Sequence, residues 1–235
     1  MLLRHGLRFA RTAPGRARDF VRALGQHAKT DAIDARMLAA MGERLDLPAT
    51  VPVAASRERL ALLLRRRDQL VAMRQQERLR LSQAEPEEGD GLARHLAFPG
   101  AEIAAIEGWI RQILHDGEDL ARQERLLRSV PGIGPVAAAV LLGLMPELGR
   151  LSSKAAAALA GLAPCNHDSG RKRGRDALYM AAIAAARSAS RFAKAARDMR
   201  ARNKPFKLVM IAIARKILVT ANAIIRQQAP FERAR

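Results

Sequence analysis

Over most of this chain the apolar residues recur with the period of a helix rather than of a strand. Across 56–83, Leu60, Leu63, Leu64, Leu70 and Val71 stand at three- and four-residue spacings with Arg and Glu between them, which predicts an amphipathic helix. Residues 85–91 are polar and contain Pro and Gly, which predicts a turn. Ile103, Ile106, Ile110, Ile113 and Leu114 then place a second helix over about 101–128. Two long charged helices joined by a turn read equally as a helical hairpin or coiled-coil arm and as two packed amphipathic helices. Further on, 177–202 reads as helical, with a break at 203–205. The last helix carries Met210, Ile213, Ala214, Ile217, Leu218, Ala221, Ile224 and Ile225 on one face.

The remaining segments are shorter. Residues 7–10 fit a short strand, Pro14-Gly15 a turn, and 16–24 a helix that stops at Gly25. Thr30 suits the N-cap of a helix with Asp31 and Asp34 in its first turn, and Pro48 and Pro52 mark a break. Residues 129–136 form a Gly- and Pro-containing turn into an apolar helix. Ser152 or Ser153 can cap a short helix ended by Gly161, and 163–175 reads as a polar, basic, Gly-rich loop. The expected fold is mainly α with a remnant of an α/β domain at the N-terminus. Its three segments are 1–50, a helical arm at 56–128 and a C-terminal domain at 129–235.

Charge changes this picture from a helical protein to a helical protein with a polyanionic partner. Of 235 residues, 41 are Lys or Arg against 23 Asp or Glu, a formal charge of +18. Such an excess points to nucleic acid or an anionic membrane surface. The 49% hydrophobic share is that of a folded domain. A single cysteine excludes a disulfide framework and a Cys-rich zinc site, and fits a reducing, cytoplasmic setting. The strongly apolar run at 136–145 is about half a membrane span, so no membrane partner is expected. Six Phe, one Tyr and one Trp are too few for base-stacking platforms, so grip on phosphates is the expected mode.

Three places could carry chemistry. Asp31 and Asp34, three apart on a helix, project two carboxylates from one face, as a Mg²⁺ site wants. Taken alone, acids in a first turn are more often dipole partners. Gly132 and Gly134, just before a helix start, let backbone N–H groups approach a phosphate, as in a helix-hairpin-helix contact, or simply make a tight turn. The run His167-Asp168-Ser169-Gly170-Arg171-Lys172-Arg173-Gly174-Arg175 surrounds a serine with cations. Three consecutive residues cannot converge as a Ser-His-Asp triad. A serine beside guanidinium groups suits attack on a phosphodiester, and a phosphate-binding loop without a nucleophile is the competing reading. Lys204 and Lys207, with Arg65, Arg66, Arg67, Arg215 and Lys216, extend a phosphate track and predict salt-sensitive binding.

In order, Gly25-Gln-His-Ala-Lys-Thr-Asp31-Ala-Ile-Asp34-Ala, Leu127-Arg-Ser-Val-Pro-Gly-Ile-Gly-Pro135, Leu159-Ala-Gly-Leu-Ala-Pro164, Asp168-Ser-Gly170, Ala177-Leu-Tyr-Met180 and Asn203-Lys-Pro205 resemble the insertion-sequence one-ten family of bacterial transposases, from about residue 8 to 231. The resemblance implies an RNase H-like (RuvC-like) nuclease domain with an Asp-Glu-Asp-Asp Mg²⁺ site, a coiled-coil arm and a C-terminal transposase domain. Asp31 and Asp34 match the last two acids of that site. Ser169 matches the serine that becomes linked to cleaved DNA. Implied partners are donor and target DNA, a guide RNA and further copies of the chain. The family's first Asp and its Glu have no counterpart here, and the segment after Gly174 is shorter than the family's. The expectation is a truncated copy of doubtful activity, with a non-catalytic DNA- or RNA-binding protein as the rival reading.

Overall fold

The computed structural model describes residues 9–10, 12, 14–25, 30–47, 49, 52–162 and 172–232. It divides into two compact units, Met1–Val53 and Ala54–Arg235. The described residues are mainly helical and contain no strand, and Phe9 and Ala10 of the expected strand lie in irregular backbone. Residues 7 and 8 lie outside the described set.

The first unit holds α1 (Pro14–Ala23) and α2 (Asp31–Arg44). Pro14 begins α1 rather than forming a turn, since its missing N–H has no partner to lose at a helix start. Thr30 caps α2 as expected, its hydroxyl oxygen accepting from the Ile33 N–H at 3.3 Å.

The second unit is all helix. α3 (Ala55–Leu81) runs antiparallel to α4 (Pro86–Asp116) across a four-residue turn. The turn expected over 85–91 is largely helix. Pro86 at the first helical position and Glu87 and Glu88 in the first turn are start signals, and they outweigh Gly89 and Gly91. The single helix expected to reach 128 is two, because Gly117 is extended and caps α5 (Glu118–Arg128). Leu60, Leu64, Leu70, Ile103, Ile106, Ile110 and Leu114 share one core with the C-terminal helices.

The apolar helix α6 (Pro135–Leu144) packs on α3, α5 and α8. Ser152 caps α7 (Ser153–Leu159), which ends at Gly161 with φ of +65°. Helix was expected over 177–202. α8 (Lys172–Ala186) and α9 (Arg191–Ala201) fill it, parted at Ser188 and Ser190, and Ser190 caps α9. α10 (Phe206–Gln227) packs against α5, α7, α8 and α9. By length and composition α10 could cross a membrane, a property the apolar run at 136–145 did not suggest, yet just over half of its most apolar 18-residue window is buried in this core. Its one buried polar side chain, Asn222, donates from Nδ2 to the Leu151 carbonyl at 2.8 Å. Its Oδ1 accepts from the Gly149 N–H at 2.7 Å, fastening the loop before α7.

Candidate nucleic-acid interface and catalytic residues

Asp31 and Asp34 open α2, and both are exposed. Two accessible carboxylates one turn apart fit the one or two that Mg²⁺ takes beside phosphate oxygens. Among the described residues no group of three or more His, Cys, Asp or Glu could complete a metal site. The pair therefore fits as part of a donor set.

The turn between α5 and α6 divides its two glycines between different tasks. Gly132 has φ of +92°, and a Cβ there would collide with the Ala181 carbonyl oxygen and stand 2.8 Å from Ala185 Cβ. Its lack of a side chain lets the turn press against α8. Gly134 is exposed, has nothing within 4 Å of an added Cβ, and caps α6 without a side-chain bond. It is the glycine through which backbone could meet a ligand.

Ser169 and Arg171 lie outside the described residues, as do His167, Asp168 and Cys165. Lys172, Arg173 and Arg175, expected in a loop, form the first turn of α8, which holds no acid. Cations at the positive end of a helix oppose its dipole, and an anion bound there offsets that cost. The three differ in use. Lys172 is exposed. Arg173 is half-buried, donates to the Leu64 carbonyl of α3 and pairs with Asp68 of the same helix. Burial, with Arg67 close by, lowers its guanidinium to about 10, which leaves it charged at neutral pH. Sequence reasoning placed Arg173 on phosphate, whereas the fold uses it to bind α8 to α3. Arg175 is partly buried.

The other expected cations separate in the same way. Arg67 is paired with Glu107 of α4 at 2.7 Å, while Arg65 and Arg66 face solvent. Lys204 and Lys207, at the start of α10, are exposed. Arg57 escaped notice in the sequence. It reaches from α3 to the Leu142 carbonyl of α6 at 2.7 Å and to Gln123 of α5 at 2.6 Å. Burial lowers its pKa, against the opposing pull of Asp119.

Comparison with known proteins joins these pieces. Residues 1–84 match the DEDD-type IS110 transposase model, and residues 124–197 match that of the transposase IS116/IS110/IS902 family. The pilin gene-inverting proteins of Moraxella lacunata and Moraxella bovis are each 30% identical over 232 residues, covering 91% of this chain and 71% of theirs. The chain belongs to the IS110 family of transposases. DNA is thus its partner class. Within this family the first match holds the exposed Asp31–Asp34 pair. The second holds the α5–α6 turn, the segment of Ser169 and the basic start of α8. All of α10 lies beyond both matches.

Proposed function

We propose that this chain recombines the DNA of an insertion sequence, cutting and rejoining strands through Ser169. The observation that carries the reading is the likeness to gene-inverting relatives along 91% of the chain. Ser169 Oγ attacks a backbone phosphorus, and a serine–phosphate bond forms as the bond from phosphorus to the departing deoxyribose oxygen breaks. That oxygen takes up the proton the serine gives up, and the reverse transfer rejoins a strand. Lys172 and the N-terminus of α8 stabilise the added negative charge, helped by Arg171 and Arg175, while Arg173 positions the helix. Asp31 and Asp34 would hold Mg²⁺, which would supply Lewis-acid polarisation to a phosphate bound beside them. Gly134 and the start of α6 receive another phosphate, and Lys204 and Lys207 lengthen the contact. A guide RNA, further copies of the chain and a cytoplasmic setting complete the proposal.

A second reading, nucleic-acid binding without chemistry, is favoured by one observation. The described residues supply two carboxylates to a metal site and no third ligand. Covalent trapping separates the two. Wild type and Ser169→Ala are incubated with supercoiled DNA carrying the element's junction, Mg²⁺ and flanking RNA, then run on a denaturing gel. Recombinase chemistry gives a DNA-linked band that the variant lacks. Salt-sensitive binding with no such band refutes present activity and leaves the binding reading.

A further inference from the structure

Between α9 and α10 lies an open groove of about 590 Å³, floored by Ala195, Ala212 and Val219 and rimmed by Arg191, Arg215 and Lys216. The small side chains at 195 and 212 leave space above its floor. Arg191 is already held in place. Its Nη2 donates to Thr220 Oγ1 across the groove at 3.1 Å, and its guanidinium carbon lies 5.4 Å from the Phe192 ring centre and 4.6 Å from that of Phe231. Those rings stack on each other at 5.9 Å. Ordering that a ligand would otherwise impose on a long side chain has been done by the fold. Arg215 and Lys216 face solvent and have no ion-pair partner among the described residues.

Charge selects the occupant. From 187 to 226 there are eleven Lys and Arg and one acid, Asp198. A second copy of the chain carries +18, and the chain's own last residues include Arg233 and Arg235, so either would bring cations to cations. A polyanion remains. Duplex DNA is a stiff rod whose phosphates would meet only the rim. A single strand can lie in the groove, with bases on the apolar floor and phosphates at the cations. We infer that the α9–α10 groove seats a single DNA strand, with Arg215 and Lys216 on successive phosphates and Arg191 as a preset clamp. The floor has no exposed aromatic ring, so the seat grips backbone and is indifferent to sequence. This rests on the DNA-recombinase reading and adds to it a site built from residues other than Ser169 and its neighbours in sequence.

The test is fluorescence anisotropy of a labelled single-stranded DNA oligonucleotide with the full chain across a salt series. An RNA of the same sequence runs in parallel. Removing two phosphate contacts in Arg215→Gln/Lys216→Gln lowers the salt slope by about 1.4 and the affinity about tenfold at physiological salt. Ala212→Phe fills the groove at unchanged charge and weakens binding in the same direction. Arg59→Gln/Arg78→Gln, removing the same charge from exposed positions on α3, leaves binding close to wild type. Circular-dichroism melts establish that each variant is folded. Wild-type affinity in the double variant, or an equal loss in the α3 control, overturns the groove while the DNA reading stands. A loss confined to RNA overturns it in favour of an RNA seat. Failure of the wild-type chain to bind DNA at all sinks both.

Discussion

Replacing Gly132 with alanine tests whether the α5–α6 turn is built for packing or for ligand contact. Two costs add. An L-residue in the left-handed region costs about 1–2 kcal/mol, and Gly132 has φ of +92°. The new Cβ also has no room, since it meets the Ala181 carbonyl oxygen and lies 3.0 Å from the Ala185 N. Backbone atoms of α8 cannot rotate away as a side chain could, so the helix itself must move. Overpacking of that kind costs about 1–3 kcal/mol more. The expected loss is about 3 kcal/mol, a fall of about 6–12 °C in midpoint for a unit of this size. Gly134→Ala is the internal comparison. With φ of −87° and open space around its Cβ, it should change stability by less than about 0.5 kcal/mol. Thermal and urea unfolding followed by circular dichroism measures both, with DNA binding assayed well below the midpoints. Equal melting of Gly132→Ala and wild type would refute the packing argument. So would a variant that melts normally but loses DNA, because Gly132 would then be a ligand contact.

Arg173→Gln should destabilise the second unit by about 1–2 kcal/mol, through the lost charged hydrogen bond to Leu64 and with little from the half-exposed Asp68. Lys172→Gln, one residue earlier, should leave urea midpoints unchanged and weaken DNA binding; the opposite pattern would show the two roles reversed. Asn222→Leu should cost about 2 kcal/mol, because it strands the Gly149 N–H and the Leu151 carbonyl, and an unchanged urea midpoint would mean that solvent satisfies both groups.

What could be read from the sequence was what local chemistry decides. The three- and four-residue spacing located α3 and α10, and the caps at Thr30 and Ser152 are side-chain bonds to the next turn. What could not be read depends on distant partners or competing local signals. Glycines at 89 and 91 masked a helix start that Pro86 and two glutamates announce. Nothing near Arg173 distinguishes it from Lys172, because its acceptor on α3 is 109 residues away in the chain. The α9–α10 groove has no periodic signature at all, since the residues that line it come from two different helices.

The net charge is a case where sequence and structure together say more than either. Residues 55–128 hold thirteen Lys and Arg against thirteen Asp and Glu, whereas 129–235 hold nineteen against five. In the first stretch several acids pair with cations of the same stretch. Glu107 holds Arg67, Glu77 holds Arg80, Asp119 faces Arg57 and Arg122, and Glu124 holds Arg128. α3, α4 and α5 therefore present a nearly neutral scaffold, in spite of sequences as basic as Arg65-Arg66-Arg67. The Coulombic attraction for DNA originates mainly in the C-terminal helices, where α9, α10 and the turn between them expose Lys194, Arg197, Arg200, Lys204, Lys207, Arg215 and Lys216 to solvent. Exposed pairs such as Arg122 with Asp119 add little stability. Their consequence is that the excess charge is left to residues 129–235, which include the basic start of α8 and the α9–α10 groove.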